Sequence, residues 1–229
     1  SRGNVDFQGT AETSKCNITG NAPLCSDLAR PGNVSGNIDG TLVRAGGTIV
    51  RGSNAIPMTD TNFSGGDTSL STMSTDDFFT TYAGNGTTTK SQFISSAYTY
   101  QTGPNANNSA NNNPLIYVNG DLSLNGGTIG SQDNPVVLFV NGNIDLKGNV
   151  IIWGTIYMTG TSFSSGTSKV FGAFLGEQNV SMTGNGAIYY NSSVSRPATI
   201  DPDRTLSTIQ TREANVRMNG WKELVIGDQ

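Results

Sequence analysis

Apolar residues come in short bursts along this chain, alternating with polar ones and closed again and again by Gly or Asn. Four bursts follow one template: DLSLNGG at 121–127, NIDLKGN at 143–149, TIYMTGT at 155–161 and NVSMTGN at 179–185. Each reads polar, aliphatic, variable, Leu or Met, polar, Gly, then a small or polar residue. Period-two alternation of this kind predicts a strand with one buried face, and the Gly predicts a corner where φ turns positive. The first two copies extend upstream through Val118-Asn119-Gly120 and Val140-Asn141-Gly142 to Asn113-Pro114 and Asn134-Pro135.

The template glycines are Gly126, Gly148, Gly160 and Gly184, at separations of 22, 12 and 24. A spacing of 22 to 24 fits one coil of a solenoid with three short strands, and the spacing of 12 sets the third copy on another face. Repetition at this period is the mark of stacked rungs. The fold expected is therefore all-β, a right-handed parallel β-helix. Val118, Leu122, Leu124, Val140, Ile144, Leu146 and Val180 point inward, while Ser123, Asp145 and Ser181 point out. A β-sandwich, which also shows short strands at regular spacing, is the competing architecture.

The rest of the chain is organised around this core. Residues 1–32 read as an irregular segment and 33–195 as the β-helix domain, with a helix and loop insertion at about 66–112. Residues 196–229 read as a tail packed on the body. One short capping α-helix is expected over 74–83, with Ser74 as N-cap, Asp77 reaching back, and Asp76 and Asp77 in the first turn, where the helix dipole favours acids. Phe78, Phe79 and Tyr82 form its buried stripe and Gly84 stops it. Its expected role is to cover an end of the β core.

Composition agrees. Gly is abundant at 29 residues and only 13% of the chain is charged, a mixture that disfavours long helices. The net charge of −4 comes without a basic cluster, so no nucleic-acid partner is expected. No stretch is apolar enough to span a membrane. The chain opens on Ser1, and membrane contact is expected only through a preceding N-terminal segment outside it. Cys16 and Cys25 flank a short turn-rich stretch and read as a disulfide loop in an oxidising compartment, the rival readings being two free buried thiols or half a metal site, the latter disfavoured without a third Cys or any His.

The chain has no His, which excludes Ser-His-Asp and Cys-His catalysis. The repeat region supplies Asp121, Asp133, Asp145, Glu177, Lys147 and Lys169. Asp121 and Asp145 hold different template positions and do not stack into a catalytic pair. Asp39, Asp121 and Asp145 lie beside turns, where Asx turns are the expected use rather than calcium ligation. Tyr117, Trp153, Tyr157, Tyr189 and Tyr190 are read as core caps and scattered surface residues, the alternative being a strip for glycan stacking. No catalytic residue, metal site or cofactor is expected.

Residues 113–192 resemble the β-helical C-terminal region of PilX-type pilus assembly proteins, minor pilin-like components of type IV pili. The resemblance rests on VNGNIDLKG at 140–148, FGAFLGEQNVSMTG at 171–184 and NGAIYY at 185–190. It is supported by Asp76-Asp77-Phe78-Phe79 ahead of the repeats and by Asn219-Gly220-Trp221-Lys222-Glu223-Leu224 after them, where Trp221 anchors the tail. The family carries an apolar N-terminal helix that this sequence lacks. The resemblance implies a non-enzymatic structural or adhesive part in a pilus, exported through the periplasm to the cell surface. Its partners would be other pilus or minor pilin subunits, with a host-surface or glycan ligand as a further candidate. A carbohydrate-binding surface adhesin is the alternative, and a β-helical polysaccharide lyase or hydrolase a second one.

Overall fold

The computed structural model describes residues 1–7, 12–15, 43–51, 63–102 and 113–190. The strands wind into a β-solenoid of about five turns in which every strand pair is parallel. Parallel pairing is what coiling in one direction imposes: each coil returns to the same face and bonds to the coil before it.

Three faces make up a coil. On the first, Leu122, Ile144, Ser162 and Val180 are successive register partners, and Leu124, Leu146, Ser164 and Met182 follow two residues on. On the second, Ile129, Ile152, Val170 and Ile188 stack. On the third, Val118, Val140 and Met158 stack, with Ile116, Leu138 and Ile156 beside them. These inward columns form one hydrophobic core. Burying each such side chain contributes about 1.5–3 kcal/mol.

The expected register holds. Leu146 and Val180 are buried, Leu124 is half-buried against the core, Ser123 is exposed, and Asp145 and Ser181 are half-exposed. The third template copy lies on a different face from the first two, with Met158 opposite Val140.

The period differs from the expected 22–24. Asn143 lies 22 residues beyond its corner partner Asp121, but the next step, Asn143 to Thr161, is 18. The first coil contains the loop Ser131–Asn134 between two strands. In the next, one strand, Ile144–Met158, turns both corners without a loop. Gly154 makes that possible, with φ of 135°, and a side chain there would collide with the Val136 carbonyl of the rung above.

Residues 1–32 were expected to be irregular, yet Val5–Phe7 and Glu12–Lys15 are strands of the solenoid. Val5–Phe7 pairs with Val180–Met182 on one side and with Ile49–Arg51 on the other. Short polar-rich strands of this kind carry little signal by themselves, and the neighbouring rungs determine their conformation.

Among the described residues the expected single helix is one of three short helical segments: Thr68–Thr72, Thr75–Phe78 running on as a π-helix over Phe79–Ala83, and Lys90–Ser96. Ser74 is the N-cap, its hydroxyl accepting the Asp77 N–H at 3.1 Å. Asp77 reaches back to the Ser74 hydroxyl at 2.7 Å rather than to its backbone, so that capping box is half made. A full box forms at Thr89 and Gln92. Gly84 terminates the π-helix. The second and third of these segments lie against the flank of the third face rather than over an end of the core, because Phe79 and Phe93 meet Phe139, which faces outward in the middle of that face.

Cys16, Cys25, Asp39 and Trp221 lie outside the described residues, as do residues 103–112 and the expected tail 196–229.

Candidate functional site

Two constellations stand out on the outer surface of the solenoid. The first lies under the helices. Tyr117, Phe139 and Tyr157 occupy one outward column on successive rungs, ring centroids 5.3 and 5.2 Å apart. Phe78, Phe79 and Phe93 pack over them; Phe79 sits edge-on to Tyr157 at 4.8 Å. Tyr117 and Tyr157, two of the five aromatics singled out in the sequence, thus belong to a second apolar layer.

A charged group closes this layer. The Lys90 ammonium lies 2.6 Å from Glu177 Oε1 and 3.3 Å from Asp76 Oδ1. The Tyr157 hydroxyl donates to the same Glu177 oxygen at 2.5 Å. Glu177 is 7% exposed, and the Lys90 side chain 17%. Burial, reinforced by the neighbouring Glu177 charge, holds the Tyr157 hydroxyl protonated well above the usual tyrosine range. An ion pair is tolerated here because each partner satisfies the other and the tyrosine takes up a further lone pair. Sequence reasoning passed over Lys90 entirely, and the only signal was its isolation in a segment otherwise rich in Ser and Thr.

The second constellation lies on the second face. Trp153, Phe171 and Tyr189 are register partners on three consecutive rungs, their rings near-parallel at centroid separations of 4.1 and 5.2 Å. Phe171, in the middle, is 1% exposed, while Trp153 and Tyr189 are half-buried. Stacking occupies the ring faces, so the middle of this ladder offers a sugar no surface to stack on. Gly130 follows Ile129, the register partner of Ile152, and so brings no side chain over Trp153 from the rung above.

The acidic residues take separate places. Asp121 sits at a corner, where its Oδ1 accepts the Asn143 N–H at 2.7 Å. Asn143 does the same for Thr161, and Asn4 for Thr48, each at 2.9 Å. This side-chain ladder satisfies backbone donors on the neighbouring rung, so Asp121 bonds between coils rather than closing the local Asx turn expected of it. Asp145 pairs with Lys147 at 2.6 Å on the first face, and Asp133 is exposed in the loop 131–134. Lys169 lies half-buried on the second face. Among the described residues no three His, Cys, Asp or Glu side chains converge as metal ligands would.

Fold and surface together define a class: a parallel β-solenoid with a helical insertion bound to one flank through an aromatic layer and a buried ion pair. Compared with models of known protein families, with curated proteins and with solved structures, the chain finds no match.

Proposed function

We propose that this chain is a non-enzymatic structural or adhesive component of a bacterial type IV pilus system, acting at the cell surface through its exposed side chains. The observation that carries the reading is the use made of the buried charges. Lys90, Glu177 and Tyr157 are directed at one another and bind the helices to the solenoid flank, which is the chemistry of a stiff scaffold. Stacked rungs suit display, since each supports its neighbours and the outward positions can vary without disturbing the core. The pilus assignment itself comes from the sequence resemblance, with other pilus subunits as partners. Deleting this domain in its host, with the anchoring segment left in place, tests it. Loss of piliation, twitching or attachment is expected. Normal pili and attachment, or robust polysaccharide cleavage by the purified chain, would overturn it.

A carbohydrate-binding adhesin is the second reading, and the position of Trp153 favours it. An indole at the end of an aromatic ladder, with a glycine at the next rung, is the arrangement on which a pyranose ring stacks. Glycan-array binding that disappears with Trp153→Ala, while the fold is kept, would select this reading over the first.

A further inference from the structure

The strand Ser162–Ser164 reverses the template of the rungs around it. Ser162 and Ser164 hold core positions at 6% and 4% exposed, while Phe163 between them is 45% exposed on the first face. Inside, the Ser164 and Ser168 hydroxyls bond to each other. The strand thus leaves unused the burial of a whole ring, the largest apolar gain open to it. On an otherwise regular face, a break in the local hydrophobic rule marks a place where function is to be sought.

Phe163 stands between short neighbours. Its register partners are Asp145 on one rung and Ser181 on the other. Side chains rise roughly perpendicular to a sheet, so the longer phenylalanine projects beyond both. Phe171 on the second face is the opposite case, with Trp153 and Tyr189 stacked on either side of its ring.

A polar frame surrounds the Phe163 ring. Thr161 and Ser165 flank it two residues either way on its own strand, and hence on the same face. Lys147 and Thr183 stand diagonally on the adjoining rungs. The Thr161 hydroxyl donates to Asn143 Oδ1 at 3.0 Å and the Thr183 hydroxyl to the Ser164 carbonyl at 3.2 Å. Both oxygens therefore keep lone pairs for an incoming donor. Asp145 Oδ2 pairs with Lys147 at 2.6 Å, while its Oδ1 is shielded from water and has no hydrogen-bond partner. A carboxylate oxygen left in that state gains from any donor that reaches it, and its soft terminal torsion can present either oxygen.

This surface selects its ligand by chemistry. A protein partner takes a contiguous apolar patch, which one ring enclosed by polar side chains does not provide. Nucleic acid takes a basic cluster, and here the Lys147 charge is already matched by Asp145. A neutral pyranose supplies what the frame lacks. Its C–H face lies on an aromatic ring, and its hydroxyls donate to the acceptors around that ring.

We infer that Phe163 is the stacking platform of a saccharide-binding site on the first face, with Asp145, Lys147 and Thr161 hydrogen-bonding the hydroxyls of a neutral pyranose. This site shares its ligand class with the adhesin reading but lies on a different face from Trp153, and it stands with or without a pilus.

Neutral manno-, galacto- and chito-oligosaccharides titrated into the full chain, followed by NMR shifts, test the assignment. Saturable binding of at least one of them is expected, with shifts centred on Phe163 and its frame. Phe163→Ser, a surface change that keeps the fold, should weaken it about tenfold. Phe163→Tyr should retain binding and Phe163→Leu should lose it, which separates ring stacking from mere apolar contact. Asp145→Ala should weaken it about two- to tenfold, and Trp153→Ala should leave it unchanged. Binding of none of the three at millimolar concentration overturns the proposal, as does binding that Phe163→Ser leaves intact. Binding that responds to Trp153→Ala alone also overturns it and places the sugar on the second face, where the adhesin reading puts it. Concentration-dependent dimers that Phe163→Ser abolishes, with no saccharide bound, overturn it as well and assign the ring to a second copy of this chain.

Discussion

The Lys90 ammonium and the Glu177 carboxylate lie 2.6 Å apart, 87 residues distant in the chain, and join the start of the third helical segment to the solenoid flank. Removing Glu177 leaves the Lys90 ammonium only the exposed Asp76 carboxylate at 3.3 Å, and the Tyr157 hydroxyl only the Thr75 carbonyl at 3.2 Å. Glu177→Ala should therefore cost about 3–5 kcal/mol. The paired change Lys90→Met with Glu177→Leu should cost less than either single change. Urea unfolding of the three variants measures this. A Glu177→Ala protein as stable as the parent would show that the pair does not hold the helices down.

Two outward-facing phenylalanines should behave in opposite ways. Phe171, stacked between Trp153 and Tyr189, is 1% exposed, whereas Phe163 is 45% exposed on the first face. Phe171→Ala should cost about 3–5 kcal/mol, and Phe163→Ser about 0.5 kcal/mol or less. Equal midpoint shifts in a denaturant titration would contradict the ladder.

The register of the first face separates neighbours in the chain. Leu146 is buried among the core aliphatics, and Asp145 beside it meets Lys147 at the surface. Leu146→Ala should cost about 2–5 kcal/mol, and Asp145→Ala about 1 kcal/mol or less. Comparable losses at the two positions would mean that the strand is turned over.

Asp67 caps the first helical segment and pairs with Arg44. The Ser69 hydroxyl, then the Arg44 guanidinium, lower its carboxyl from the usual 3.8 to about 2. A depressed folded-state value means the carboxylate stabilises the fold above its ordinary value, and that contribution disappears as pH falls from about 4 through about 2. In Asp67→Asn this acid-dependent component should vanish. Carboxyl NMR titration checks the value directly, and an Asp67 resonance titrating near 4 would refute the interaction.

Cys16 and Cys25 should be bonded to each other, closing a short loop that contributes about 2–3 kcal/mol. Non-reducing intact mass after treatment with a thiol label reads this out. Uptake of two labels by the folded, unreduced protein would falsify the pairing.

Much of the solenoid was written in the sequence. Alternation with period two sets which side chains of 122–124, 144–146 and 180–182 face the core. Gly126, Gly148 and Gly184 take the positive φ expected at corners, whereas Gly160 does not, and Ser74 marks a helix start. These are local properties, decided within a few residues by φ/ψ preference and the cost of exposing apolar surface. The identity of each rung's neighbour is not local. Ser162–Ser164 occupies the rung between Ile144 and Val180 with two buried hydroxyl residues and an exposed Phe, the reverse of the template, because its place is determined by the coil lengths on either side. Phe171 looks like a surface residue in its strand and becomes buried only when Trp153 and Tyr189 arrive above and below. The same holds for Lys90 with Glu177, and for Val5–Phe7 between two strands remote in sequence. A parallel rung accepts any strand of matching parity, so the chain encodes the faces of its strands by itself, and only the packing of distant segments decides which strands meet.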